Sequence, residues 1–109
     1  MNTDERLTSH VKQIAKSLSS GEYDFEAGEY DEPCAQDYLQ DVLDIEYIIG
    51  GDGEFKGARV LVAYGGPNIW INTRTNIVEG YWWADKAFAE FEDTLGLNEW
   101  LEELYECTK

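Results

Sequence analysis

Basic residues are scarce in this chain. Eight Lys and Arg stand against twenty-three Asp and Glu across 109 residues, a formal net charge of −15. A protein that grips nucleic acid needs a basic track against the phosphates. A few scattered cations among so many acids do not form one, and the same field repels an anionic lipid surface. Histidine is represented by His10 alone and cysteine by Cys34 and Cys107. These cannot assemble a zinc site by themselves, and the two cysteines make no C-x-x-C pair. No apolar run approaches the roughly 20 residues that span a bilayer. The opening Met1-Asn2-Thr3-Asp4-Glu5-Arg6 has neither the basic nor the apolar portion of a signal peptide. The expectation is a cytoplasmic chain with reduced thiols, without direct nucleic-acid or membrane binding.

Catalytic signatures are also missing. There is no G-x-S-x-G elbow, P-loop, H-E-x-x-H or G-x-G-x-x-G. A triad needs a histidine held between a nucleophile and an acid, whereas His10 flanks an apolar helical stripe. Gly50, Gly51 and Gly53 could suggest a phosphate cradle, but Asp44, Glu46, Asp52 and Glu54 around them repel phosphate. Asp52-Gly53-Glu54 does not match the spacing of an EF-hand loop. The glycines read as a hairpin turn, and the chain as a non-enzyme with no cofactor and no metal.

What is present is enough apolar and aromatic material for a core: 43% hydrophobic residues and 14% aromatic. A disordered acidic chain lacks these. The length suits one domain over residues 1–109. Leu7, Val11, Ile14 and Leu18 recur at helical spacing and predict a helix over Asp4 to Leu18. Asn2 with Glu5 resembles a capping box at its start, and Ser19-Ser20-Gly21 ends it. Glu22 to Glu32 reads as an acidic loop. Pro33 suits the first turn of a second helix, with Tyr38, Leu39, Val42 and Leu43 on its inner face.

Four strand-like runs follow: Asp44–Ile49, Ala58–Tyr64, Ile69–Thr73 and Ile77–Trp83. Each is rich in β-branched or aromatic residues and bounded by turn chemistry. Short links predict an antiparallel meander. Asp85 reads as the cap of a third helix carrying Phe88, Phe91 and Leu95, and Asn98 as the cap of a fourth. That last helix has Trp100, Leu101, Leu104 and Tyr105 inside and Glu99, Glu102, Glu103 and Glu106 outside. The predicted fold is α+β: a four-stranded antiparallel sheet with two N-terminal and two C-terminal helices in two layers.

Two features carry functional content. The acidic field comes from the Glu22–Glu32 loop, from Asp37 and Asp41, and from the acids of the last helix. Solubility alone explains a solvated face, but −15 exceeds the roughly 2–8 that small domains need. Carboxylates several ångströms apart, interleaved with aromatics, imitate a phosphate backbone. The second feature is Tyr81-Trp82-Trp83. Strand alternation puts one Trp of the pair inside and one out, with Trp70 placed to join the outward one. Exposed, they would anchor an interface; covered by helices, they would be core.

The segment Gly65-Gly66-Pro67-Asn68-Ile69-Trp70-Ile71-Asn72-Thr73, followed by Val78-Glu79-Gly80-Tyr81-Trp82-Trp83, resembles small acidic proteins of phages and mobile elements in Firmicutes. In size, charge and lack of catalytic motifs the whole chain also resembles anti-CRISPR proteins, several of which are acidic mimics of the DNA that Cas9 reads beside its target. No contact motif of those proteins carries over residue by residue. The resemblance implies a phage inhibitor of a basic nucleic-acid-binding defence enzyme, a CRISPR effector such as Cas9. Such effectors hold nucleic acid in basic channels and read the PAM with Arg. Asp24, Glu26, Glu29, Asp31, Glu32, Asp37 and Asp41 would occupy those cationic sites, and Tyr23, Phe25 and Tyr30 would add apolar contact. Two alternatives share the same sequence: an immunity or antitoxin-like protein plugging a basic nuclease toxin, and an assembly protein whose charge serves only solubility and whose Trp70 and Trp82 drive self-association.

Overall fold

The computed structural model describes residues 3–21, 34–40 and 42–108. The elements run α1 (Thr3–Ser20), α2 (Ala35–Leu39), β1 (Asp44–Ile49), β2 (Phe55–Ala63), β3 (Asn68–Asn72), β4 (Ile77–Trp82), β5 (Asp85–Glu90) and α3 (Leu97–Glu106). The five strands form one antiparallel meander in the order β1-β2-β3-β4-β5. This is an α+β fold, with one strand more and one helix fewer among the described residues than the sequence suggests.

The difference lies at Asp85. The segment expected to start a third helix there is β5, paired along its length with β4 from Trp82↔Asp85 to Ile77↔Glu90. Phe88, Phe91 and Leu95 are spaced like a helical stripe, but the alternation in Ala87-Phe88-Ala89 fits a pleated strand equally well. The free edge of β4 decides between them, because a neighbouring strand supplies partners that no isolated propensity contains. Two residues, Trp83 and Ala84, make the hairpin loop, and Trp83 takes φ 59.

The expected cap of the last helix also moves. Gly96 is the N-cap residue and offers no side chain. Asp93 caps instead, one carboxylate oxygen accepting from Leu97 N–H (2.7 Å) and the other from Asn98 N–H (2.9 Å). Asn98 sits inside the helix, and its Oδ1 accepts from the Thr73 hydroxyl at 2.8 Å, linking α3 to the end of β3. In the second helix, α2 ends at Leu39, so Val42 and Leu43 lie beyond it; Val42 packs against the core and Leu43 is exposed. The Asn2 cap and the Pro33 start lie outside the described residues.

The helices cover one face of the sheet. On it, alternation brings Ala58 and Val60, Ile69 and Ile71, Val78 and Gly80, and Ala87 into one buried layer. Leu7, Val11, Ala15 and Leu18 of α1 and Leu97 and Leu101 of α3 close it. Each fully buried Leu, Ile or Val contributes roughly 1.5–3 kcal/mol. Gly80, between Ile69 and Ala87, lets α1 approach: a Cβ there would lie 2.5 Å from Val11 Cγ2 and 2.8 Å from Leu7 Cδ1. The C-terminal end of α1 is tied down by the loop after β5, where Glu92 N–H donates to Ser19 Oγ and the Thr94 hydroxyl donates to the Leu18 carbonyl. No described helix is long and apolar enough to cross a membrane.

Candidate partner-binding surfaces

Of the residues singled out in the acidic field, Asp24, Glu26, Glu29, Asp31, Glu32, Tyr23, Phe25, Tyr30 and Asp41 lie outside the described residues. Asp37 is placed in the first turn of α2 and is half-buried. Both joints of the 22–33 segment sit against one loop. A Cβ on Gly21 would lie 3.3 Å from Thr94 Oγ1, and Cys34 lines a shallow cleft with Leu95, Gly96, Glu99, Trp100 and Glu103.

Helix α3 itself presents Glu99, Glu102, Glu103 and Glu106 to solvent and carries no Lys or Arg. Residues three and four apart on a helix are neighbours, about 5–6 Å between Cβ atoms, and like charges at those spacings destabilise it. Glutamates in the last turn also oppose the helix macrodipole. The amphipathic inner face holds the helix in place despite this. Leu97 and Leu101 are fully buried, and Tyr105 packs on Tyr47 and Phe55 and donates its hydroxyl to the Gly53 carbonyl (3.1 Å).

The face of the sheet opposite the described helices carries a polar and aromatic network. Glu79 lies at its centre. Its Oε1 accepts from Arg59 Nη2 (2.9 Å), Arg59 Nε (3.2 Å) and the Tyr81 hydroxyl (3.4 Å), and its Oε2 from Asn72 Nδ2 (3.1 Å). Arg59 also reaches Glu46 at 3.4 Å and stacks over Trp70, 4.3 Å from the ring centroid. Asn72 Oδ1 accepts the N–H groups of Arg74 and Thr75, fixing the β3–β4 turn. Phe88 meets Tyr81 edge-on, with centroids 6.0 Å apart. Burial, then the charge of Glu79, raises the Tyr81 pKa above the usual tyrosine value. Arg59 and Glu79 are engaged with each other and their neighbours, so this constellation holds the strands together. Among the described residues, every buried side-chain nitrogen and oxygen has a hydrogen-bond partner.

The tryptophans divide three ways. Trp70 lies half-buried under Arg59. Trp82 and Trp100 pack against the edge of the core. Trp83 stands in the β4–β5 turn with 90% of its surface exposed. A Trp70–Trp82 apolar patch is therefore absent: β-pleat alternation sends those two side chains to opposite faces. Trp83 instead joins Tyr64, Tyr81 and Trp82 around a cleft of about 320 Å3 at the end of the sheet, with Asn68 and the Gly65-Gly66 turn as its remaining walls. The Gly66–Pro67 bond is cis, and a Cβ on Gly66 would lie 3.4 Å from Trp82 Nε1. Sequence reading pointed to the aromatic triplet but not to Tyr64, which only the fold brings to it.

Elsewhere, His10 is exposed on α1, and Gly50–Gly53 form the β1–β2 turn with Gly53 N–H donating to the Gly50 carbonyl. The Glu54 N–H, foremost, holds the Asp52 carboxyl below its usual range, with Lys56 adding its charge. No group of three or more His, Cys, Asp or Glu placed to hold a metal occurs among the described residues. No protein-family model matches the chain, and neither a curated protein nor a solved structure matches it.

Proposed function

We propose that this chain is a binding protein that lays an acidic surface into the basic nucleic-acid channel of a partner and so blocks it. The observation that carries the reading is α3. Glu99, Glu102 and Glu103, spaced so that they repel one another, are exposed on a helix whose own sequence holds no Lys or Arg, at a cost to that helix. A surface arranged for stability alone would interleave bases there. The sequence adds six further carboxylates in residues 22–33, with no Lys or Arg among them. A charged face of this kind accelerates encounter with a basic surface and weakens with salt.

The first target to test is a CRISPR effector such as Cas9, on the sequence resemblance. The experiment measures target-DNA cleavage by a Cas9–guide complex titrated with the protein at low and moderate salt. Stoichiometric inhibition that fades with salt is expected. Two reversal variants then map the surface: Glu29→Lys with Asp31→Lys and Glu32→Lys, and Glu99→Lys with Glu103→Lys. Each is expected to reduce inhibition about ten-fold or more, since several charge-pair contacts are lost at once. Undiminished inhibition by both would remove the acidic surface as the active element. No inhibition by the folded wild-type protein removes Cas9 and moves the test to other CRISPR effectors, then to basic nuclease toxins.

A further inference from the structure

The geometry points to a second contact: we propose that the aromatic cleft at the end of the sheet seats the guanidinium of an arginine on the basic partner. This rests on the reading above that the partner is basic. The aromatic walls of the cleft are Tyr64, Tyr81, Trp82 and Trp83, and among the described residues no lysine or arginine lines it. Its volume, about 320 Å3, is at the small end of ligand pockets and suits one side chain better than a cofactor.

Two of these rings are left in water. Trp83 is 90% exposed and Tyr64 76%. Large aromatic side chains in such a position are the anchors that interfaces cover. Trp83 is moreover held at φ 59, a conformation disfavoured for a bulky residue, so the turn keeps a tryptophan where glycine or asparagine fits best.

Charge decides the occupant. On a chain of net charge −15 the approaching surface is cationic, and aromatic faces attract cations, the planar guanidinium most effectively because it also stacks. Asp85, directly across the strand pair from Trp82, lies at the same end of the sheet. Lys86, the cross-strand partner of Tyr81, is exposed and outside the cleft lining. The same chemistry already occurs inside the molecule, where Arg59 stacks on Trp70 while bonded to Glu79.

The test is an NMR titration that follows the tryptophan indole N–H signals, using capped oligo-arginine, oligo-lysine of equal length, and a neutral proline-rich peptide. Oligo-arginine is expected to shift Trp82 and Trp83 more than Trp70 and Trp100, and to bind several-fold more tightly than oligo-lysine. Tyr64→Ala with Trp83→Ala should weaken oligo-arginine binding about ten-fold and erase its preference over oligo-lysine. Both residues are exposed, and unchanged signal dispersion checks the fold. Glu99→Gln with Glu102→Gln and Glu103→Gln should weaken both peptides equally and flatten the salt dependence, keeping the preference. Equal binding of the two cationic peptides, untouched by the cleft variant, would overturn the cleft and leave the acidic surface standing. A shift of Trp82 and Trp83 by the neutral peptide alone would overturn it too. If neither cationic peptide binds the wild-type chain at low salt, the acidic-surface reading fails and the cleft inference with it.

Discussion

Residues 79 and 80 are adjacent on β4, yet they belong to two different kinds of surface. Gly80 faces the helices, where close approach of Leu7 and Val11 leaves no room for a side chain. Glu79 faces the other way and gathers Arg59, Asn72 and Tyr81 around its carboxylate. The covered face is held by shape and apolar burial. The open face is held by hydrogen bonds and ring contacts that tolerate water. One strand thus supports both, because the pleat sends alternate side chains to opposite sides. Function is free to occupy the open face, the sheet end and α3 without disturbing the core.

The covered face is most vulnerable at Gly80. Gly80→Val forces three carbons into space occupied by α1, and overpacking a closed core costs about 3 kcal/mol, a large part of the 5–15 kcal/mol typical of a domain. Urea denaturation of the variant should show that loss. Should Gly80→Val match wild type in midpoint, α1 does not sit on β4 as described. Glu79→Ala, one residue away, should cost less, about 2 kcal/mol. It removes charge-assisted bonds from a partly solvated network, and Arg59 can turn to Glu46 and water. Equal losses at the two positions would mean that the open face is packed as tightly as the covered one.

The loop that joins the sheet to α3 depends on a single carboxylate. Asp93→Ala removes both bonds of the cap at once and should destabilise the protein by about 1 kcal/mol, read as a lower urea midpoint with unchanged slope. That cap shows how far the sequence could be read. The strands from β1 to β4 were legible to within a few residues, because β-branched runs and glycine turns mark them independently of context. Helices α1 and α3 were legible from their apolar stripes. Asp93 was not, because it caps across an intervening Gly96 in the left-handed region rather than from the position next to the helix. β5 was missed for a related reason. Hairpin loops of two residues usually announce themselves with glycine or asparagine, and here the residue at positive φ is Trp83. The expected acidic loop falls outside the described residues, whereas the aromatic cleft joins residues 64 and 83 through a register that no local pattern encodes.

Trp83→Gly turns that hidden signal into a measurement. Relieving a bulky residue of the left-handed region returns about 1–2 kcal/mol, and the extra freedom of glycine in the unfolded chain takes back about 0.5–1 kcal/mol. Little packing is lost from a side chain 90% exposed. A net gain of about 0.5 kcal/mol is therefore expected by thermal or urea denaturation, together with loss of the preference for oligo-arginine. A loss of stability would show that the indole supports the turn, and the residue would then be structural.

The smallest effect distinguishes the open face by pH. Burial and the neighbouring Glu79 carboxylate raise the Tyr81 pKa in the folded protein, and burial does the same for Tyr38 beside the core. A raised folded value means that the native state holds the phenolic proton more tightly than the unfolded chain does. The associated stability is present in full below the ordinary tyrosine value near 10 and declines as pH rises through it. Tyr81→Phe should make the alkaline decline shallower without abolishing it, since Tyr38 still contributes. Glu79→Gln should lower the Tyr81 pKa only in part, because burial is the larger cause and remains. Ultraviolet titration of the tyrosines in the two variants separates the contributions. A Tyr81 pKa that returns fully to the ordinary value in Glu79→Gln would mean that burial is not the larger cause, and that the Glu79 and Arg59 charges set the balance.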